Sequence, residues 1–329
     1  MSALTICRTL RACCAALVCV AVAASAAEWS PQKPVELVVG VAAGGALDIT
    51  ARDIQRLLQG ERLTPVPVTV VNRPGGGNAV AWSYLNQHAG DAHYLSISSP
   101  NLVTNALVGS NPLSHTDVTA IAMLFSEYIA CSVRADSPLR SGRDLVQRLR
   151  EDPGSASIGI ASARGATNHI AAGAVLQAAG VDVSKLRFVV FKSSAESLTA
   201  MLGGHVDVDF STVSNVLGHL QGNRLRVLGV TAPRRMAAPL DNVPTWTEQG
   251  WAVDFSGWRG VIAPSGLTRE QIAYWDEVFG KLTQTREWRD ELAKRFWVGT
   301  YMNSGDTRTY LQSQSRELAK VLAGLGLIK

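Results

Sequence analysis

Val35-Glu36-Leu37-Val38-Val39-Gly40-Val41 is followed at once by Ala42-Ala43-Gly44-Gly45-Ala46 and then by Leu47-Asp48. The apolar, β-branched run predicts a strand over residues 35–41, the small residues predict a loop, and an amphipathic stretch predicts a helix over residues 48–58. The pattern continues with a strand at 67–71, a helix at 78–87 and a strand at 94–98. Strands that alternate with helices are typical of an α/β domain built on a parallel sheet.

The same alternation returns in the second half of the chain. It predicts strands at 158–161, 188–191, 206–210 and 226–230, and helices at 168–179, 194–202 and 213–221. Two apolar runs, 120–125 and 128–133, are predicted to lead from the first unit into the second, and residues 255–263 to lead back. A tail predicted to be helical, 268–325, follows. We therefore predict one domain from 28–127 plus 254–329 and another from 128–253.

Residues 1–27 have the features of a secretory signal peptide. Arg8 and Arg11 precede an apolar run over 12–24, and Ala24-Ser25-Ala26 resembles a cleavage site. A membrane anchor is the alternative, but about 13 apolar residues are fewer than the roughly 20 that span a bilayer. We expect cleavage near Ala26 or Ala27 and a protein located outside the cytoplasm. Of the five cysteines only Cys131 lies beyond the leader, so no internal disulfide is expected.

Charge and motifs exclude several functional classes. The formal net charge of +4 includes two leader arginines, so 4 − 2 leaves only +2, which argues against nucleic acid or an anionic membrane as partner. The six histidines show no metal-ligand spacing, and the usual hydrolase, nucleotide and dinucleotide motifs are missing. We expect no metal, no cofactor and no catalytic residue, although an enzyme with an unfamiliar site remains an alternative.

The loop after the first strand is a candidate ligand site. Its small residues, Ala42, Ala43, Gly44, Gly45 and Ala46, leave backbone N–H groups accessible at a helix start, which suits a carboxylate or phosphate. The alternative is a glycine turn needed only for tight packing. Asp48 could cap the helix or accept a hydrogen bond from a ligand hydroxyl or ammonium.

A second loop of the same kind, Ala161-Ser162-Ala163-Arg164-Gly165-Ala166-Thr167, precedes the helix predicted at 168–179. Arg164 could grip a carboxylate with two hydrogen bonds or simply face solvent. Gly165 and Ala166 could offer backbone N–H groups. Thr167 or Asn168 could donate to the ligand, but one of them is expected to cap the helix.

Polar residues at other strand ends are further candidates. Ser99 and Asn101 follow the third strand, Ser211 with Thr212 closes a strand of the second unit, and Arg259 lies on the return crossing. Ser193 with Glu196 fits a capping box, which we favour over ligand contact. We interpret the turn at 72–78 as a sharp bend before a helix, with a position beside the ligand as the less favoured alternative.

Taken together, these motifs resemble the periplasmic receptor family of tripartite tricarboxylate transporters, the Bug-type solute-binding proteins. The resemblance rests on Gly44-Gly45-Ala46-Leu47-Asp48, on Asn72-Arg73-Pro74-Gly75, on Ala161-Ser162-Ala163 with His169, and on the stretch from Leu202 to Val208. Trp258-Arg259-Gly260-Val261 resembles the tricarboxylate-receptor subgroup.

The resemblance implies a type II periplasmic binding protein fold, in which two α/β lobes close on a small organic acid. It also implies a monomer that delivers its ligand to a two-subunit membrane permease. Backbone N–H groups of residues 42–46 and 165–167 would hold the carboxylate.

At several positions this chain differs from the family pattern, and the differences bear on the charge of the expected ligand. Many members have proline where Ala42 and Ala43 stand, glycine or asparagine where Arg164 stands, and Asp-Asn where Ser211-Thr212 stands. An added cation and a lost carboxylate predict a di- or tricarboxylate ligand. A receptor that feeds a sensor kinase, or a periplasmic enzyme acting on a small carboxylate, is the alternative.

Overall fold

The computed structural model describes residues 29–44, 46–161, 163–253 and 255–328. The predicted signal peptide, and Gly45 of the first loop, lie outside the described residues. Within them the chain forms ten strands and ten α-helices. The strands are β1 Val35–Val39, β2 Val68–Asn72, β3 Tyr94–Ser98, β4 Thr119–Arg134, β5 Ser157–Ala161, β6 Arg187–Phe191, β7 Val208–Thr212, β8 Leu225–Val230, β9 Ser256–Ala263 and β10 Val298–Met302. The helices are α1 Ala46–Gly60, α2 Ala79–Asn86, α3 Asn101–Leu107, α4 Gly142–Glu151, α5 Thr167–Ala178, α6 Ser194–Leu202, α7 Val213–Gln221, α8 Arg269–Gln284, α9 Arg286–Arg295 and α10 Ser304–Gly324.

The ten strands form one sheet with the order β2-β1-β3-β9-β4-β7-β5-β6, and β8 and β10 both pair with β4. Pairs within each α/β unit are parallel, as in β1 with β2 and β3, and in β5 with β6 and β7. The pairs made by β4 and β9 are antiparallel. The sheet is therefore mixed, because the two strands that join the units run against their neighbours.

The strand β4 connects the two halves of the molecule. The sequence suggested two separate runs, at 120–125 and 128–133, but residues 119–134 form one continuous strand. Its first half pairs with β9 and β10, and its second half pairs with β7 and β8. The polar Ser126-Glu127 step interrupts the hydrophobic pattern but not the ladder, since backbone hydrogen bonds do not depend on the side chain.

Helix α1 shows how the sequence pattern becomes packing. Leu47, Ala51, Ile54 and Leu58 recur every three or four residues and are all buried. This spacing places them on one face of a helix, and that face joins an apolar cluster with β1, β3 and α8. The N-terminal end of α1 is thereby held at the carboxyl end of β1.

The C-terminal tail differs from the prediction. It is helical in α8, α9 and α10, but β10 interrupts it and pairs with β4. Trp275, Phe279, Leu282 and Trp288 are buried as expected. A second apolar cluster spans both halves and includes Trp82, Trp258, Ile170 and Leu322. The end of α10 thus packs on the half that contains α5, while the predicted division into two domains stays a prediction.

Candidate ligand-binding site

A cleft of about 610 Å³ lies at the carboxyl ends of strands from both halves of the sheet. Its walls are the segments that follow β1, β3, β5, β6 and β7, and its floor includes Glu127 on β4 and Arg259 on β9. Ligands of open α/β sheets bind outside the carboxyl ends of the strands. The volume lies in the range of small-molecule sites.

The first wall is the loop after β1. Ala42, Ala43, Gly44 and Ala46 all line the cleft. Gly44 has a φ of +83°, a left-handed conformation that side chains disfavour. Within the described residues, no hydrogen bond uses the N–H groups of Ala42 and Ala43, so these two groups are available to an anion.

Asp48 holds this loop from behind. It is 1% exposed, and its carboxylate accepts hydrogen bonds from Gly44 N (2.8 Å), Asn72 Nδ2 (2.8 Å) and Arg52 Nε (2.9 Å). Burial alone would raise the pKa of Asp48, but the bonds from Arg52, Gly44 and Asn72 outweigh it and lower the pKa. Asp48 does not line the cleft; it positions the loop and lies inside α1 rather than capping it.

Two polar residues after β3 and one from the turn at 72–78 complete this side. The candidates Ser99 and Asn101 line the cleft, and so does Asn78. Asn78 is 3% exposed, has a φ of +83°, and its Oδ1 has no hydrogen-bond partner. The turn, read from the sequence as a bend before a helix, therefore also contributes a wall residue.

The second loop faces the first across the cleft, and only part of it is available to a ligand. Ala166 and Thr167 line the cleft, whereas Arg164 and Gly165 do not. Gly165 N donates to His169 Nδ1 (2.8 Å), and Ala166 N donates to Ala163 O (3.2 Å). The family resemblance assigns the N–H groups of residues 165–167 to ligand binding. Of these three groups, that of Thr167 has no hydrogen-bond partner within the described residues.

Helix α5 begins without a side-chain cap. Ala166 is its N-cap residue, and no side chain accepts a hydrogen bond there. The expectation that Thr167 or Asn168 caps the helix was wrong, because both lie inside its first turn. Their N–H groups consequently have no partner within the helix. Asn168 instead donates from Nδ2 to Ser194 Oγ (3.2 Å).

Arg164 is exposed and lies outside the cleft lining, so the structure does not bring it to the ligand as the sequence suggested. It acts on His169: burial, together with the positive charge of Arg164, lowers the pKa of His169 to about 4. The imidazole is therefore neutral near pH 7, and its Nδ1 accepts the bond from Gly165.

The loop after β6 forms the third wall, with Lys192, Ser193, Ser194 and Ala195 in the lining. Ser193 Oγ accepts from Glu196 N (3.2 Å), as the capping motif predicted, while Glu196 Oε2 accepts from Lys192 N (3.0 Å). Ser193 both caps α6 and faces the cleft. The two readings of this residue do not exclude each other.

At the end of β7, Thr212 lines the cleft and Ser211 does not. Ser211 is fully buried, lies outside the lining, and donates to the Asp209 carboxylate. Thr212 takes its place in the wall. Side chains alternate between the two faces of a strand, so a shift of one position decides which residue faces the cleft. Burial raises the pKa of Asp209 to about 6, despite bonds from Ser197 and Ser211.

The floor contains a buried ion pair. Arg259 Nη2 donates to Glu127 Oε1, with side chains 8% and 7% exposed. Arg259 Nη1 also donates to the carbonyl oxygens of Gly257 (3.2 Å) and Trp258 (3.0 Å). Arg259 lines the cleft, but its charge is already paired with that of Glu127.

Several wall residues were not predicted from the sequence: Glu127, Lys192, Asn215, Arg295 and Trp297. A signal was present for Glu127, a lone charge inside an apolar strand. Arg295 and Trp297 come from the tail, where only packing was expected; Trp297 stacks on Phe125 with ring centroids 3.9 Å apart.

Comparison with known proteins assigns the family. The model of the tripartite tricarboxylate transporter family receptor matches residues 51–327. The chain belongs to this receptor family. A Cupriavidus necator relative, the UPF0065 protein in gbd 5'region, is 26% identical over 306 residues, which cover 92% of this chain and 90% of that protein.

Solved structures confirm the predicted fold class. The periplasmic binding protein BugD superposes with a TM-score of 0.78 at 20% identity, over 91% of this chain and 99% of that chain. An R. palustris protein solved with adipate has a TM-score of 0.78 at 25% identity, over 90% of this chain and 98% of that one. The family and the fold are those of binding receptors.

Two further observations concern membrane-spanning helices and metal sites. Among the described helices, none combines the length and apolar content that crossing a bilayer requires. In the same part of the chain, no three His, Cys, Asp or Glu side chains are grouped so that they could hold a metal ion.

Proposed function

We propose that this receptor captures a small organic acid, a di- or tricarboxylate, outside the cytoplasm and delivers it to a two-subunit membrane permease. The observation that carries the proposal is the pair of loops on opposite sides of one cleft. Ala42 and Ala43 line the same cleft as Thr167 and Asn168 at the start of α5, and within the described residues none of these four N–H groups has a hydrogen-bond partner. Backbone N–H groups at helix starts suit carboxylates.

Ligand contact would couple the two halves of the molecule. An acid that bonds to both loops makes contacts in a closed arrangement that it cannot make in an open one, so it shifts the population toward the closed form. The permease would then recognise the closed form. This role requires capture and release without chemical change, and we propose that the receptor has no enzymatic activity.

Calorimetric titration of the mature protein tests the ligand class. The panel contains succinate, malate, adipate and citrate, each beside its neutral amide analogue. We expect the acids to bind and the neutral analogues to bind far more weakly. Tighter binding of a neutral or cationic solute would refute the carboxylate assignment, and conversion of a bound acid, followed by NMR, would refute the absence of catalysis.

Delivery and location need separate tests. Uptake of a labelled acid into proteoliposomes that contain the permease should require both the receptor and its ligand. Mass spectrometry of the exported protein should place its first residue after Ala26 or Ala27. Receptor-independent uptake would exclude the delivery role.

A further inference from the structure

The charged residues in the cleft lining are Glu127, Lys192, Arg259 and Arg295, within the described residues. Arg259 is paired with Glu127. Arg295 is paired twice, through Nη2 with Asp53 (2.8 Å) and through Nε with Glu291 (2.8 Å). Both arginines are therefore neutralised by carboxylates of the protein itself.

Lys192 differs from them. Its backbone is fixed, because its N–H donates to Glu196 Oε2 (3.0 Å) and the next residue caps α6. Its side chain is exposed, and no carboxylate oxygen of the described residues lies within ion-pair distance of its Nζ. Lys192 thus brings to the cleft a positive charge that no described residue balances.

A dianionic ligand presents two groups, and the loops account for one. The N–H groups of Ala42, Ala43 and Thr167 can hold a single carboxylate. A second carboxylate would leave water for the cleft, which is favourable where a cation replaces the lost hydration. On the floor, Glu127 and Arg259 balance each other's charge, so the unbalanced positive charge that favours a second carboxylate lies on the wall formed after β6.

We infer that Lys192 is the specificity-determining residue that binds the second carboxylate and so selects diacids over monoacids. The inference rests on the proposed function, since it assumes that a carboxylate ligand occupies the cleft. The ammonium group sits on a flexible four-carbon stem, which can meet carboxylates at different separations. Diacids of unequal length should therefore share the dependence on this residue.

Binding of matched ligand pairs to Lys192→Gln tests the inference. The pairs are succinate with succinamate and adipate with adipamate, in which one carboxylate is replaced by a neutral amide of nearly the same shape. We expect Lys192→Gln to weaken diacid binding about 10- to 100-fold, the range of one charge-assisted hydrogen bond. Binding of the half-amides should change by less than about twofold.

Two further variants serve as controls. Lys185→Gln removes the same charge from an exposed site outside the cleft, where Lys185 pairs with Asp182, and it should leave all four affinities unchanged. Lys192→Arg keeps the charge and should restore most of the diacid affinity. Thermal melting without ligand should be the same for wild type and Lys192→Gln, because the side chain is exposed.

The outcomes separate the inference from the proposed function. Diacid binding that is unaffected by Lys192→Gln, or diacid and half-amide binding that weaken equally, overturns the role of Lys192 and leaves the receptor assignment intact. A wild-type protein that binds none of succinate, malate, adipate and citrate overturns the proposed function and the inference with it.

Discussion

The ion pair on the cleft floor offers a test of how the two halves are joined. Glu127→Ala removes the carboxylate that faces Arg259, while the guanidinium keeps its bonds to the carbonyl oxygens of Gly257 and Trp258. The side chains of the pair are only 8% and 7% exposed. A charged group would thus remain in a nearly buried position without its counter-ion.

The expected cost follows from that burial. Removing one partner of a buried ion pair costs roughly 3–5 kcal/mol, because the other charge stays desolvated. Water in the cleft can reach Arg259 in part, so we expect about 3 kcal/mol, near the lower limit of that range. Glu127→Gln keeps an acceptor for Arg259 and should cost less.

Urea unfolding followed by circular dichroism measures the effect, with Glu277→Ala as the matched control. Glu277 pairs with Lys281 on the surface of α8, with side chains 53% and 61% exposed, and removing such a pair costs about 0.5 kcal/mol or less. If Glu127→Ala loses no more free energy of unfolding than Glu277→Ala, the floor pair does not stabilise the junction of β4 and β9, and the reasoning fails.

Three other predictions concern the loops and the buried titrating groups. Gly44→Ala should lower the free energy of unfolding by about 1 kcal/mol, because Gly44 has a φ of +83°, which an L side chain disfavours, while a Cβ there meets no atom and adds no clash. Gly60→Ala, the control in urea unfolding, should not lower it, because Gly60 lies in α1, where alanine is favoured over glycine. The pKa of Asp209 rises on folding from 3.8 to about 6. Its contribution to the free energy of unfolding is therefore full below pH 3.8, and about 3 kcal/mol of that contribution is lost as the pH rises through 6. Asp209→Asn should abolish this loss when the free energy of unfolding is measured with urea at pH 4 and pH 7. If the variant shows the same difference between the two pH values as wild type, Asp209 is not the source of the loss. Arg164→Ala should leave the ligand Kd within about twofold, since Arg164 lies outside the cleft lining, and should raise the pKa of His169 above about 4 in an NMR titration; a tenfold weaker Kd would place Arg164 at the ligand instead.

Much of the fold could be predicted because local patterns agree with the tertiary structure. The run from Val35 to Val39 is almost continuously apolar and buried, as expected for a central strand of a parallel sheet, and the buried residues of α1 follow the helical period. The helix over 194–202 was predicted with its exact bounds, and Ser193 was identified as its cap. Helix α3 and strand β10 were missed, since short elements carry little periodic signal. Helix α4 was also missed, although Ser141 caps it and Leu145, Val146 and Leu149 are buried at helical spacing.

The candidate site was less predictable. The glycine-containing loops were found because a strand that runs into small residues and then a helix has a distinctive local sequence. Arg164 and Ser211 were proposed as ligand contacts from their positions in the chain, yet one points to solvent and the other is buried against Asp209. Lys192 was not among the predicted ligand contacts, because whether its charge is balanced depends on residues that are distant in the chain.

Local sequence was sufficient for the alternation of strands and helices, for the two loops and for the family resemblance, because each depends on residues close together in the chain. The pairing of Glu127 with Arg259, 132 positions apart, depends on how β4 and β9 align. So does the difference between Arg295, whose charge is balanced, and Lys192, whose charge is not. These properties belong to the folded molecule, since an ionic group's effective charge depends on which neighbours the fold brings within a few ångströms.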